Sequence, residues 1–359
     1  MFRASVIRER IYLDHAATTP LRPEARAAME EGFALWANPS SPHAEGRKAR
    51  SLLEDARDRV KAALDWSGEV IFTSGASGAA ELALNRAKAG ARLVSTVEHD
   101  AILQAAPDAE RLPVLSDGRL DLDNLRDALE RERPLVAVQQ VNSETGNRQA
   151  LDAIHACVRE AGGILLSDAA QSAGKMPLLP CDMAIVSAHK FGGPIGVGAL
   201  LVKDYAVLNP SGGQERGYRR GTENLPGVLG MAAALEACPD DYLDAGVLPC
   251  LDQLAEDVRA IGGTWLSDRL SDPTPYIRAL AMPAMSATTQ VMRFDLGGIA
   301  VSQGSACSSG TMKAGRALES LQVAPEVAAN TIRISVGWNT TRAEIERFCD
   351  VWLELARKG

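Results

Sequence analysis

Two short stretches carry side chains that could act together on one cofactor: Asp168-Ala169-Ala170-Gln171 and Ser187-Ala188-His189-Lys190. Each follows a branched apolar run, Gly163-Ile164-Leu165-Leu166 in the first case and Met183-Ala184-Ile185-Val186 in the second. Runs of this kind read as buried strands. An open α/β sheet delivers the residues after its strands to a ligand crevice at the carboxyl edge. The pattern therefore predicts that Asp168 and Lys190 arrive side by side. Such a pair suits an aldehyde cofactor, with the lysine forming a Schiff base and the carboxylate holding the proton of a pyridinium nitrogen. Alone, the lysine would read as a surface cation and the aspartate as a helix cap. Gln171, Ser187 and His189 in register favour the cofactor.

Other elements must position these groups. Glu69-Val70-Ile71-Phe72-Thr73 reads as a strand, followed by Ser74-Gly75-Ala76-Ser77-Gly78 and a helical stretch from Ala79. Strand, glycine turn and helix start make an anion site, since free N–H groups and the helix dipole favour negative charge. A nucleotide phosphate would suit it as well. Leu93-Val94-Ser95-Thr96 is a strand ending at Val97-Glu98-His99, where an imidazole could stack on a flat ring or move a proton, or simply end a strand. Residues 121–133 read as a surface helix, and Leu135-Val136-Ala137-Val138 as another buried strand. The run from Val197 to Val202 follows Lys190 too closely for a parallel crossover, so it is expected antiparallel. Gly212 to Asn224 is rich in glycine and arginine, which suits an anion or a solvated loop. From Leu270 to Thr289 several prolines and no clear period mark a smaller domain. Arg333 sits on the apolar strand Thr331 to Gly337 and needs an anionic partner. Thr341-Arg342-Ala343-Glu344 opens the last helix with a capping box.

The bulk properties are those of a soluble globular chain. At 359 residues it exceeds one core, so a large and a small domain are expected, 12–240 and 241–359 with 1–11. The net charge of −8 argues against a nucleic-acid surface, and no run approaches membrane-spanning length. The first ten residues lack a secretory apolar core, so a cytoplasmic location is expected. Six scattered cysteines without a Cys-x-x-Cys pair suggest neither a disulfide frame nor a metal site. Cys307 stands apart, in a segment of small residues bracketed by Gly304 and Gly310 that suits a mobile thiol. Cys157, Cys238, Cys250 and Cys349 read as small buried hydrophobes, and Cys181 with them.

Nearly the whole chain, from Tyr12 to the last helix, resembles the pyridoxal-phosphate-dependent cysteine desulfurases of the class V aminotransferase group. The resemblance rests on Leu13-Asp14-His15-Ala16-Ala17-Thr18, Asn38-Pro39-Ser40-Ser41-Pro42-His43, Gly75-Ala76-Ser77-Gly78, Glu98-His99, Asn142-Ser143-Glu144-Thr145-Gly146, Asp168 to Lys190 and Gly213 to Asn224. Ser305-Ala306-Cys307-Ser308-Ser309-Gly310 resembles the branch with the longer catalytic loop. Departures fall at His15, usually Asn, at Gly78, usually Glu, and at Leu166, usually His; the Ser-His pair expected after the Cys307 motif is also replaced.

The resemblance implies a fold type I α/β architecture, a large mostly parallel sheet domain with a smaller α+β domain. It implies pyridoxal 5′-phosphate held by Gly75, Ala76, Ser77, His99, Asn142, Asp168, Gln171, Ser187, His189, Lys190 and Thr222. It assigns catalysis to Lys190, Cys307 and His99, and substrate contact to Asn38, Asn142 and Arg333. Thr222 would reach the phosphate of a neighbouring subunit, hence a homodimer. The implied reaction converts L-cysteine to L-alanine and leaves a persulfide on Cys307, with the sulfur passing to an acceptor protein such as an iron-sulfur scaffold. Selenocysteine lyase or aminotransferase chemistry on the same fold, or a degenerate non-catalytic scaffold, remain open on these residues.

Overall fold

The structure, a computed structural model, describes residues 10–238, 242–303 and 315–357. It divides into a larger unit, Ala17–Asn142 with Asn147–Tyr242, and a smaller one, Ser143–Gly146 with Leu243–Gly359 and the residues up to Ala16. The chain's first strand, β1 (Ile11–Tyr12), belongs to the smaller unit.

The larger unit is built on one sheet of seven strands. They are β2 (Glu69–Thr73), β3 (Arg92–Ser95), β4 (Glu110–Leu112), β5 (Leu135–Gln139), β6 (Ile164–Asp168), β7 (Met183–Ser187) and β8 (Gly198–Val202), in the order β2-β8-β7-β6-β5-β3-β4. All pairings are parallel except those of β8, which runs antiparallel to both β2 and β7. The antiparallel strand expected from the short link after Lys190 is thus present.

Helices cover both faces, which is why the central strands are apolar throughout rather than alternating. On one face Val136, Val138 and Leu165 pack with α1 (Pro23–Leu35), α2 (Ala44–Ala63), α6 (Leu151–Glu160) and α7 (Leu225–Glu236). On the other face Leu135, Ala137 and Leu166 pack with α3 (Ala76–Arg86) and α4 (Asp100–Ala105). Leu166 is fully buried there, so the departure at this position fills core. The surface helix expected over 121–133 is shorter, α5 (Leu122–Ala128), capped by Asp121 accepting from the backbone of Asp123 and Asn124.

The smaller unit carries a three-stranded antiparallel sheet of β9 (Thr264–Trp265), β10 (Ile277–Ala281) and β12 (Thr331–Ser335), with β10 central. The stretch without a clear period therefore contains a central strand. Its five residues are too few, and too small at Ala279 and Ala281, to show an alternation against the flanking prolines. β1 pairs in parallel with β11 (Ile299–Ala300). Helices α8 (Val247–Ala260), α9 (Ala287–Leu296), α10 (Arg316–Ser320), α11 (Pro325–Asn330) and α12 (Arg342–Ala356) complete it. The capping box of α12 forms as expected: Glu344 N donates to Thr341 Oγ1 at 3.3 Å, and Thr341 N donates to Glu344 Oε2 at 2.7 Å.

Candidate active site

In the larger unit the carboxyl ends of β3, β5, β6 and β7 lie along one sheet edge, because all four strands run parallel. Asp168 ends β6 and pairs across to Ile185, two residues before Ser187. Its Oδ1 accepts the backbone N–H of Ala170 at 2.9 Å, which fixes the carboxylate plane. Burial raises its pKa, against the N–H of Ala170 and the nearby charges of His99 and Lys190, which lower it. The acid, the lysine and the imidazole follow parallel strands to the same sheet edge, near enough for both cations to act on Asp168.

Lys190 closes a single 3₁₀ turn, Ala188–Lys190, directly after β7. Its Nζ donates to Ala17 O at 2.9 Å. Thr19 holds the same turn twice, donating N–H to His189 O at 2.7 Å and its hydroxyl to Lys190 O at 2.9 Å. His189 Nδ1 meets Thr18 Oγ1 at 3.1 Å. Burial, then the charges of Lys190 and Lys175, push the His189 pKa down to about 4, so this ring is neutral at neutral pH. The segment Ala17–Thr19 read as a plain loop from its residues. It is the brace of the lysine turn, and only its two threonines beside a proline hinted at this.

His99 caps α4: its Nδ1 accepts from Ala101 N at 3.1 Å. An acceptor Nδ1 leaves the proton on Nε2 in the neutral ring, and the ring is exposed. Glu98, one residue earlier, is buried and accepts Gln139 N at 2.8 Å. Burial, then the charge of Asp168, raise its pKa well above the carboxylate range. Burial thus disfavours the charged form of both carboxyls, Glu98 and Asp168, and the charges of His99 and Lys190 offset it only at Asp168. Asn142 is buried and donates to Val97 O at 3.2 Å, on the same strand end as His99. Gln171 is buried, and its Oε1 accepts from Lys175 Nζ at 3.3 Å. Ser187 is buried as the last residue of β7.

The phosphate-type turn is also built. Helix α3 starts at Ala76 with no side chain capping its first turn, so its N–H groups remain available to an anion. Gly75 takes φ +136°, with open space where a Cβ would stand. Gly198 on β8 lets the turn sit close, since a Cβ there would meet the Gly75 backbone at 2.8 Å. Ser77 is exposed on this turn. Thr222 is exposed as well, in the loop after β8. Asn38 forms the turn before α2, its Oδ1 accepting Ser40 N at 2.9 Å.

The smaller unit contains Arg333 on β12, with only 5% of its surface exposed. Its Nη1 donates to Ser143 O at 2.8 Å and its Nη2 to Asp14 Oδ1 at 2.6 Å. The anionic partner that a buried guanidinium requires is thus supplied from within the chain. His15, in the same unit, is buried, its Nε2 3.3 Å from Thr340 Oγ1 and its ring edge-on to Tyr12. Cys307 lies outside the described residues.

The family model for class V aminotransferases matches residues 11–348. The chain belongs to the class V aminotransferase family. A cysteine desulfurase from Cereibacter sphaeroides is 36% identical to this family member, over 96% of the chain and 95% of the relative. A cysteine desulfurase IscS from Dictyoglomus turgidum is 31% identical, over 98% and 96%. A solved NifS-like protein superposes with a TM-score of 0.88 at 26% identity, covering 98% of this chain and 100% of the other. The cofactor of the family, pyridoxal 5′-phosphate, fits the residues present. An uncapped helix start beside an open Gly75 suits the phosphate, the exposed His99 ring suits a flat face, and half-buried Asp168, its pKa raised by burial against the charges of His99 and Lys190, suits a ring N–H.

Proposed function

We propose that this class V aminotransferase is a cysteine desulfurase, converting L-cysteine to L-alanine with transfer of sulfur to Cys307. The reading is carried by the convergence of Asp168, Lys190 and His99 at one sheet edge, together with cysteine desulfurase relatives of near-equal length.

Pyridoxal phosphate, when bound, supplies an electron sink next to the substrate α-carbon. Asp168 holds a proton on the ring nitrogen through its carboxylate. Lys190 Nζ carries a proton from and to the substrate carbon, released for this from the Ala17 carbonyl. His99 presents its Nε2 side, since Nδ1 is held by Ala101. Gly75, Ala76 and Ser77 offer N–H and hydroxyl groups to the phosphate. Gln171, Ser187 and His189 complete the cofactor contacts, and Asn38 and Asn142 contribute to the substrate. Arg333 grips the substrate carboxylate. The Cys307 thiolate forms an S–S bond to the substrate sulfur as the carbon–sulfur bond breaks. The bonding pair stays with the carbon fragment, which takes up a proton and leaves as alanine. The products are one alanine and one Cys307 persulfide, so no external oxidant or reductant is consumed.

Burial supports Cys307 as the nucleophile over two other thiols. The Cys181 and Cys349 thiols are each pushed up to about 12, chiefly by burial, and cannot supply thiolate at neutral pH. The sulfur would then pass to an acceptor protein of an iron-sulfur assembly pathway in the cytoplasm. We further propose a homodimer in which Thr222 reaches the partner's phosphate. The exposed Phe33, Trp36 and Ile195 of the larger unit are apolar surface that a second copy would cover. The deciding experiment incubates purified, cofactor-loaded protein with L-cysteine and a thiol reductant and measures sulfide and alanine together. Equimolar release supports the reading. Pyruvate in place of alanine, or no sulfide, rejects it.

A further inference from the structure

The loop from Gly212 to Asn224 holds an unusual backbone. Glu215 and Arg216 are consecutive non-glycine residues at φ +49° and +55°. Side-chain-bearing residues disfavour this region, and such strain persists only where the surroundings over-determine it. Here they do. Glu215 is 2% exposed and Arg57, on α2, is 3% exposed. Arg57 Nη1 and Nη2 donate to Glu215 Oε2 and Oε1 at 2.8 and 3.2 Å, a two-point fork. Oε2 also accepts the backbone N–H of Phe72, on β2, at 2.9 Å. The guanidinium donates to Val70 O on the same strand and lies 4.8 Å from the centre of the Phe72 ring. Glu54 Oε2 receives both Arg57 Nε at 3.2 Å and Arg216 Nη2 at 3.3 Å, which pins the loop from outside.

This arrangement lies well away from Lys190 in sequence and has no part in the chemistry above. Its geometry joins two segments with one kind of ligand in common. Phe72 is one residue before the end of β2, which runs directly into the Gly75 turn and α3. Thr222 lies seven residues beyond Glu215 on the anchored loop.

We propose that Arg57 and Glu215 are positioning residues that lock the 212–224 loop to β2, so that the strand leading into a subunit's own phosphate turn also sets the loop it extends toward phosphate. This rests on the reading of Thr222 as a phosphate contact. Neutralising Glu215 takes away the charge at the forked end of the buried guanidinium and leaves it only the part-exposed Glu54 carboxylate at Nε, and the strained pair at 215–216 loses its tightest hold.

The test compares cofactor-loaded wild type with Glu215→Gln and with Arg57→Lys, which keeps the charge but loses the planar fork. Trypsin reports on the loop through Arg216, Arg219 and Arg220, and released pyridoxal phosphate is followed by absorbance. For Glu215→Gln, cleavage within 212–224 and cofactor release should each rise about tenfold, a loss of roughly 1.4 kcal/mol of restraint. Cleavage elsewhere should keep its wild-type rate. Arg57→Lys should show a smaller increase in both, and it carries the test if Glu215→Gln does not fold. Wild-type loop cleavage in a folded variant overturns the proposal, as does cleavage that rises uniformly along the chain. Thr222→Ala separates the two ideas. It should release cofactor faster while its loop resists trypsin as the wild type does. Unchanged release in Thr222→Ala removes the phosphate reading, and the cleavage comparison still decides the anchor.

Discussion

Arg333 Nη2 lies 2.6 Å from Asp14 Oδ1, so the guanidinium assigned to a substrate carboxylate already holds a carboxylate of its own. The two side chains are 6% and 22% exposed, and Nη1 is committed to Ser143 O. Asp14 therefore orients the fork, and a substrate carboxylate bound as proposed would have to share it.

Arg333→Ala should raise the KM for cysteine by about tenfold or more, the scale expected from losing a charge-assisted hydrogen bond in the complex. Cofactor absorbance should stay. Asp14→Asn should raise KM less, because the amide oxygen still accepts from Nη2. Steady-state kinetics on both variants check this. An unchanged KM in Arg333→Ala makes the residue purely structural.

Removing Asp14 altogether also has a stability consequence. Breaking a buried pair by deleting one partner costs about 3–5 kcal/mol, and the partial exposure of Asp14 places this case toward or below the lower end. Asp14→Ala should lower the urea midpoint, while Asp14→Asn should recover much of the loss. Equal midpoints for all three proteins would show that the pair contributes nothing net.

The His189 ring gives a pH signature. Its pKa is about 4 in the folded chain against 6.5 for the free side chain, so the unfolded state binds its proton first as pH falls. Stability from this group is complete above about 6.5 and is lost progressively down to about 4. The melting temperature of His189→Gln should fall less steeply than that of the wild type across this window. Parallel profiles would mean that the ring titrates normally.

Much of this site was readable before any coordinates. The strands leading to Asp168 and Lys190 are buried on both faces, so their apolar runs are unbroken and their ends easy to place. Arg333 was conspicuous because an arginine on an apolar strand is costly. Asp14 was not, since a pairing across more than three hundred residues leaves no local pattern. Ala17 was invisible for a different reason: it acts through its carbonyl, which every residue has. Glu98 looked like the polar neighbour of a histidine, and only its burial shows that its carboxyl is pushed up. Strand β10 was hidden by its small size and by prolines on both sides.

Lys190 should be the one lysine that borohydride joins to the cofactor. Peptide mass spectrometry of the reduced protein locates the adduct, and Lys190→Ala should show none. An adduct on Lys175, the buried neighbour bonded to Gln171, would reassign the covalent role.

Among the thiols, limited alkylation at neutral pH should reach Cys307 before Cys181 and Cys349, whose burial holds them protonated. Cys307→Ser should retain cofactor and lose sulfide release by about three orders of magnitude or more, as expected when a nucleophile is removed. Sulfide at wild-type rates would place the sulfur on another residue.

Among the described residues strand β2 sits at the rim of its sheet and pairs there with β8 alone, Glu69 opposite Val202. A ribosome must therefore add about 130 residues after β2 before that strand can dock. At synthesis rates of about 5–20 residues per second the wait is several seconds or more. Until then the glycine turn has no Gly198 to rest against. The turn after β2 therefore lacks its backstop until β8 has been made, a little past the middle of the 359-residue chain, and is completed only in the second half of synthesis.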